Sequence, residues 1–179
     1  MKVGICGTHC AGKTTLATAV SHKYGIPLIR EVAGRYPSAK RQSVGTQVDI
    51  LLAQVKQEMV FGSFVSDRTV CDNYAYYRFW AEQTGTLPSL DINVELFVRD
   101  YLKNYHYSWI FFVDEYFDLE DDGQRDTDPV QQKWVYDFLS ERFDDLTRND
   151  IYPDLRVAKI KGTTEERLKQ MADCIGLKV

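Results

Sequence analysis

Cysteine is sparse in this chain and follows no pattern. Its four cysteines, Cys6, Cys10, Cys71 and Cys174, lack metal-ligand spacing, and two of them fall in one short N-terminal stretch. That usage argues against a disulfide framework and points to a reducing compartment. Basic blocks are missing as well. The chain carries 22 Lys and Arg against 26 Asp and Glu, a formal net charge of −4. A polynucleotide partner demands a basic face, so none is expected. No apolar run is long enough to span a bilayer, so no membrane partner is expected either. There are no internal repeats, low-complexity tracts or linkers, and the N-terminus enters an apolar run directly, without a signal or transit segment. The expectation is a cytoplasmic protein of one domain, for which 179 residues supply a real core. Its oligomeric state is not legible.

What the chain does have is concentrated near its start. Gly7-Thr8-His9-Cys10-Ala11-Gly12-Lys13-Thr14 fits G-x-x-x-x-G-K-[ST], the phosphate-binding loop. It is preceded by Lys2-Val3-Gly4-Ile5-Cys6, which reads as a buried strand, and followed by Thr15 to Val20, a good helix start. Backbone N–H groups of residues 9 to 14 are expected to cradle phosphate oxygens, helped by the positive end of the helix dipole. The expected nucleotide-binding set is His9, Cys10, Ala11, Gly12, Lys13, Thr14 and Thr15. Lys13 would reach the β- and γ-phosphates, and Thr14 would hold Mg²⁺ through its hydroxyl. ATP and Mg²⁺ are therefore the expected cofactors.

Beyond this loop the chain alternates short apolar runs with helical patterns. Strands are expected near residues 2–6, 28–29, 63–66, 109–113 and 156–160. Helices are expected near 13–24, 46–61, 71–83, 92–105, 131–148 and 164–175. Thr46 with Asp49 reads as a capping pair for the second helix, and Val48, Leu51, Leu52, Val55 and Met59 as its apolar stripe. Residues 33 to 45 read as a loop. Strand–helix alternation implies an α/β protein, a parallel sheet with helices on both faces. Ligands then bind beyond the carboxyl ends of the strands.

Every strand end is charged. Arg30-Glu31 follows the second strand, Asp67-Arg68 the third and Asp114-Glu115 the fourth. Asp67 can hold Mg²⁺ or accept a proton, Arg68 can grip a phosphate with its fork, and Glu31 can act as base toward a hydroxyl. Glu31 has an alternative as a surface carboxylate paired with Arg35. Ile110 to Glu115, four apolar residues and then Asp-Glu, also fits the Walker B pattern of motor-type ATPases, with Asp114 organising Mg²⁺ and Glu115 activating water. A regulatory or mechanical ATPase therefore stays open as an alternative. Residues 117 to 129 are acidic apart from Arg125 and read as a lid whose arginine follows charge on the moving phosphoryl group.

Together, the P-loop, R-E after strand two, D-R-x-x-x-D-N-x-A-Y after strand three, D-G-x-R in the lid and G-T-x-E-E-R near the end resemble the P-loop nucleoside and nucleotide kinases. The resemblance is strongest to nicotinamide riboside kinase-type, AAA-like domains, and more distant to thymidylate kinases. It implies the P-loop NTPase fold, a five-stranded parallel sheet in the order 2-3-1-4-5 with a lid. It implies phosphate binding at Gly12, Lys13 and Thr14, Mg²⁺ or acceptor contacts at Asp67, and phosphate contacts at Arg68 and Arg125. Gly162 and Thr163 would lie against the adenine. The implied activity is ATP-dependent phosphoryl transfer to a small-molecule acceptor. Glu31 and Asp67 suit a hydroxyl acceptor, whereas Arg30, Arg35, Arg68 and Arg78 suit a phosphate, so the acceptor stays open. Tyr36, Tyr74, Tyr77 and Phe79 are candidates to stack on its ring.

Overall fold

The apolar runs are the strands of one parallel sheet. β1 (Lys2–Cys6) lies at its centre, flanked by β3 (Phe64–Asp67) and β4 (Trp109–Val113), with β2 (Leu28–Ile29) and β5 (Arg156–Ile160) at the edges. The order is β2-β3-β1-β4-β5, as the resemblance implies. Ile5 pairs with Asp67 and with Phe111, so the carboxyl ends of the three central strands come out side by side. The computed structural model describes all residues except 87, 105–106, 117–127, 149–151, 153 and 177–179.

Side chains alternate across the sheet, and each face has its own helices. Val3, Ile5, Val65, Phe111 and Val113 pack against α1 (Lys13–Tyr24) and α7 (Thr164–Ile175) through Leu16, Ala17, Val20, Leu168 and Met171. Cys6, Ile29, Phe64, Ile110 and Phe112 face α3 (Val44–Val60), α4 (Val70–Thr84), α5 (Pro88–Asn104) and α6 (Pro129–Arg148). Residues 33 to 45, expected as a loop, contain a 3₁₀ turn at Ala33–Arg35 and α2 (Ser38–Arg41).

Helix starts differ from expectation where a cap lies further upstream. Ser43, not Thr46, caps α3, its hydroxyl accepting from Thr46 N at 3.2 Å. Thr69 caps α4 in a reciprocal box with Asp72. The expected stripe of α3 is also rotated. Leu51 and Val55 are buried, but Leu52 and Met59 are 40% and 58% exposed, and Gln47, Gln54 and Glu58 are buried instead. No helix among the described residues is long and apolar enough to cross a membrane.

Candidate active site

α1 begins without a side-chain cap. Gly12 occupies its N-cap at φ 75°, so the first N–H groups of the helix are left to a ligand. A Cβ at Gly12 would also come 3.1 Å from Arg167 Nη1, so this glycine is needed for both reasons. His9 through Thr15 line a cavity of about 180 Å³, joined by Glu31, Arg41 and Arg68. Lys13 is buried and donates to Thr8 O across the loop. Burial, with repulsion from Arg68, lowers its pKa to about 8.

β3 delivers Asp67 beside this loop. Thr14 Oγ1 donates to Asp67 Oδ2 at 2.6 Å, while Asp67 Oδ1 is buried without a hydrogen-bond partner among the described residues. Burial raises the Asp67 pKa, and the bond from Thr14 offsets part of that. A hydroxyl and a carboxylate oxygen with spare acceptor capacity form a hard donor pair suited to Mg²⁺. The described residues include no preformed cluster of three or more His, Cys, Asp or Glu.

Arg68 follows at φ 86°, in the left-handed region that residues other than glycine seldom occupy. Its Nε donates to Glu31 Oε1 at 2.6 Å, and its Nη1 lies 3.8 Å from Asp72 Oδ1. Glu31 therefore pairs with Arg68, not with Arg35, which turns to Gln57. Burial opposes ionisation of Glu31, but Arg68 and Lys13 outweigh it and bring its pKa down to about 2. Burial, then Arg68 and Lys13, push the His9 pKa well below the usual range. Its ring is accordingly neutral, and Nδ1 accepts from Arg68 Nη2 at 3.3 Å.

A second cavity adjoins the first and shares His9, Glu31, Arg41 and Arg68 with it. Its walls are Ile50, Asn73, Tyr76, Trp80 and Gln131. Asn73 Nδ2 is buried there without a hydrogen-bond partner among the described residues. The aromatic wall is thus Tyr76 and Trp80, not the expected set. Tyr77 is in the core, Tyr74 lines a separate cavity between α4, α5 and α6, and Phe79 packs on Trp80 and Trp134. Tyr36 does not line the cavity. Of the arginines proposed for a phosphate acceptor, Arg78 pairs with Glu82 and Asp91, and Arg30 is exposed away from both cavities. Arg125 and most of the expected lid lie outside the described residues.

Asp114 and Glu115 are engaged by side chains away from Thr14 and Asp67, and none of their described contacts supports the Walker B alternative. Asp114 accepts from Tyr136 at 3.0 Å and lies 4.0 Å from Lys159. Glu115 is held by Arg167 and by Gly162 N. The cause is α7: buried Arg167 sends one nitrogen to Glu115 and another to Ala11 O, bracing the P-loop from behind. Gly162 and Thr163 form the turn into α7, with Thr163 capping it. This brace was missed in the sequence, although Arg167 closes the G-T-x-E-E-R stretch. The role of Asp72 was missed too, although the D-R-x-x-x-D-N run contains it. Asp72 accepts from Gly7 N at 2.9 Å and from Thr69 N and Oγ1 at 2.8 Å each, and the T-x-x-D spacing signals its capping half.

A P-loop at the switch point of a 2-3-1-4-5 sheet, with a carboxylate and an arginine ending the next strand, defines a P-loop nucleotide-binding protein. The chain belongs to the AAA domain family, whose model matches residues 2–167. It is similar in structure to deoxyadenosine kinase from M. mycoides with bound dATP, at a TM-score of 0.72 and 14% identity, covering 98% of this chain and 100% of that one. The same enzyme with bound products dCMP and dCDP gives 0.64 and 15%, covering 98% and 99%. NadR protein in complex with NR gives 0.70 and 17%, covering 99% of this chain and 52% of that one. No curated protein matches it in sequence.

Proposed function

We propose that the protein is an ATP-dependent, Mg²⁺-requiring kinase that phosphorylates a hydroxyl of a small nucleoside-like metabolite. The observation that carries this reading is the pair of adjoining cavities, one on the P-loop and one walled by Tyr76 and Trp80, with Glu31 and Arg68 at their junction. The kinases among the similar structures support the same reaction class.

ATP would lie with its phosphates against the N–H groups of residues 9 to 14, and Lys13 would place its charge between the β- and γ-phosphates. Thr14 and Asp67 would hold Mg²⁺, which when bound neutralises charge on the phosphates. Gly162 and Thr163 would border the adenine. The acceptor's ring would enter between Tyr76 and Trp80, with Asn73 Nδ2 as a spare donor toward it.

Charge pairing favours a hydroxyl acceptor over a phosphate. Arg68 already shares its charge with Glu31 at 2.6 Å. A phosphate acceptor at that junction would face an ionised carboxylate. A hydroxyl acceptor is instead oriented by donating to Glu31. Its oxygen attacks the γ-phosphorus as the bond to the β–γ bridging oxygen breaks, its proton passes to Glu31, and ADP leaves. A base with a pKa of about 2 contributes little driving force in the free enzyme. The loose transition state of phosphoryl transfer asks mainly for positioning, which a fixed carboxylate provides. Arg68, and Arg125 from the lid, would meet charge on the moving phosphoryl group.

The test is coupled ADP release with panels of nucleosides and of their monophosphates. Turnover that requires a nucleoside supports the reading. Equal turnover without any acceptor would overturn it in favour of an ATPase.

A further inference from the structure

The turn that aims Arg68 is held from behind by a buried polar network that neither cavity touches. At its hub is Glu58, 1% exposed on α3. Tyr101 donates to its Oε2 at 2.6 Å, and Tyr107 donates to Oε1 and Oε2 at 2.7 and 2.8 Å. Gln54, one turn earlier on α3, directs its amide nitrogen to Glu58 Oε1 at 2.7 Å, Ser66 Oγ at 2.7 Å and Arg68 O at 3.4 Å. The Tyr107 hydroxyl in turn accepts from Val70 N at 3.2 Å. Two relays therefore leave one carboxylate and end on the backbone on either side of Thr69, one on the carbonyl of Arg68 and the other on the amide of Val70.

We propose that Glu58 is a positioning residue: through Gln54 and Tyr107 it fixes the left-handed turn at Arg68 and so aims that guanidinium at Glu31 and at the acceptor. Other groups of the turn's backbone have partners on β1 and α4. Arg68 N donates to Ile5 O at 3.0 Å, Thr69 N donates to Asp72, and Thr69 O accepts from Asn73 N at 3.2 Å. The bonds from Gln54 and Tyr107 add to these, and both depend on Glu58.

A packing role alone does not explain this choice of residues. Leucines at 54 and 58 would fill the space beside Ser66, Tyr101 and Tyr107 without burying a carboxylate and an amide. What a polar pair reaches, and an apolar pair does not, is the main chain of a strained turn, which persists only where its surroundings over-determine it. Close contact adds to the hold. A Cβ at Gly4 would lie 2.4 Å from Thr69 Cγ2 and 3.2 Å from the Tyr107 ring, so β1 supplies a glycine where turn and ring press on it.

The inference rests on the kinase reading for its consequence in rate, but not for its consequence in structure. The experiment therefore uses both readouts on Glu58→Gln, Tyr107→Phe and the swap Gln54→Glu with Glu58→Gln. The swap keeps a buried donor–acceptor pair on α3 but removes the donor to Arg68 O. In ¹⁵N-arginine-labelled protein the Arg68 Nε–H, bonded to Glu31, gives a protected signal, assigned by its loss in Arg68→Lys. Positioning predicts that all three variants shift that signal and speed its exchange. It also predicts a fall in kcat of about 10–100-fold, the usual cost of losing an outer-shell partner, with KM for ATP little changed. The swap should recover melting temperature without recovering kcat. If Glu58→Gln does not fold, Tyr107→Phe carries the same comparison. A folded variant with an unchanged Arg68 signal, or a swap that recovers kcat along with stability, would overturn the inference. A wild type that lacks acceptor-dependent turnover sinks the kinase reading, and the Arg68 signal then decides positioning by itself.

Discussion

Thr14 Oγ1 and Asp67 Oδ2 lie 2.6 Å apart, which ties the first turn of α1 to the last residue of β3. Both would hold the ion that accompanies ATP. Asp67→Asn should lower kcat by about 10–100-fold or more, with the loss partly relieved at high Mg²⁺. Asp114→Asn, which removes only a partner of Tyr136 and Lys159, should change the rate by about twofold or less. Rates of both variants at saturating ATP check this, and a greater loss at Asp114 would restore the Walker B reading.

Lys13 should set the alkaline limit of activity. Its pKa of about 8 means the free enzyme loses that charge as pH rises through 8. kcat/KM for ATP should therefore fall above about pH 8. kcat at saturating ATP should hold to higher pH, because bound phosphate keeps the ammonium charged. Lys13→Ala should abolish turnover and weaken ATP binding with the fold intact, which circular dichroism and nucleotide titration can read together.

The sequence made the P-loop, the sheet and the charged strand ends legible because each rests on local signals: an eight-residue motif, apolar runs and turns. Pairings across long separations were not. Glu31 and Arg68 are 37 residues apart, and nearby Arg35 looked the better partner. The ring wall was ambiguous for another reason. Aromatics at 74, 76, 77, 79 and 80 cover every face of α4, so periodicity cannot choose Tyr76 and Trp80. α3 misled because part of its buried face is polar. Gln54 and Glu58 break the stripe that hydrophobicity alone would draw.

Glu31→Gln should lower kcat by about 10²-fold or more with a smaller effect on KM for ATP, as expected of a group whose proposed part is to orient the acceptor hydroxyl. It should also change acid unfolding. The folded pKa of Glu31 lies below its ordinary 4.5, so its contribution to stability is complete above 4.5 and is lost as pH falls toward about 2. In Glu31→Gln that part of the acid arm should flatten, which denaturant melts across this range would register.

Arg167→Met should loosen the P-loop from behind. It removes the donors to Ala11 O and Glu115, at a cost of roughly 1–3 kcal/mol in unfolding free energy. ATP affinity should drop with it, while KM for the acceptor changes less. Unchanged nucleotide affinity in the folded variant would count against the brace.

For Arg125 the expectation comes from composition alone. As the lone cation of the acidic stretch, it should contribute about 10³-fold to kcat with little effect on ATP affinity. Lys at that position should restore only part, because an ammonium lacks the planar fork. Single-turnover rates of Arg125→Ala and Arg125→Lys decide it.

Asp72 gives the two substrate seats a common hinge pin. One oxygen of its carboxylate takes the first N–H of the P-loop and the other takes the start of α4, with no water able to reach either. A fluctuation that frees α4 from β3 therefore also costs Gly7 its partner, which couples the opening of the two cavities as the protein warms. In the proposed kinase such a link would act as a fail-safe: partial melting would release ATP together with the acceptor cavity, so that little phosphate is lost to water.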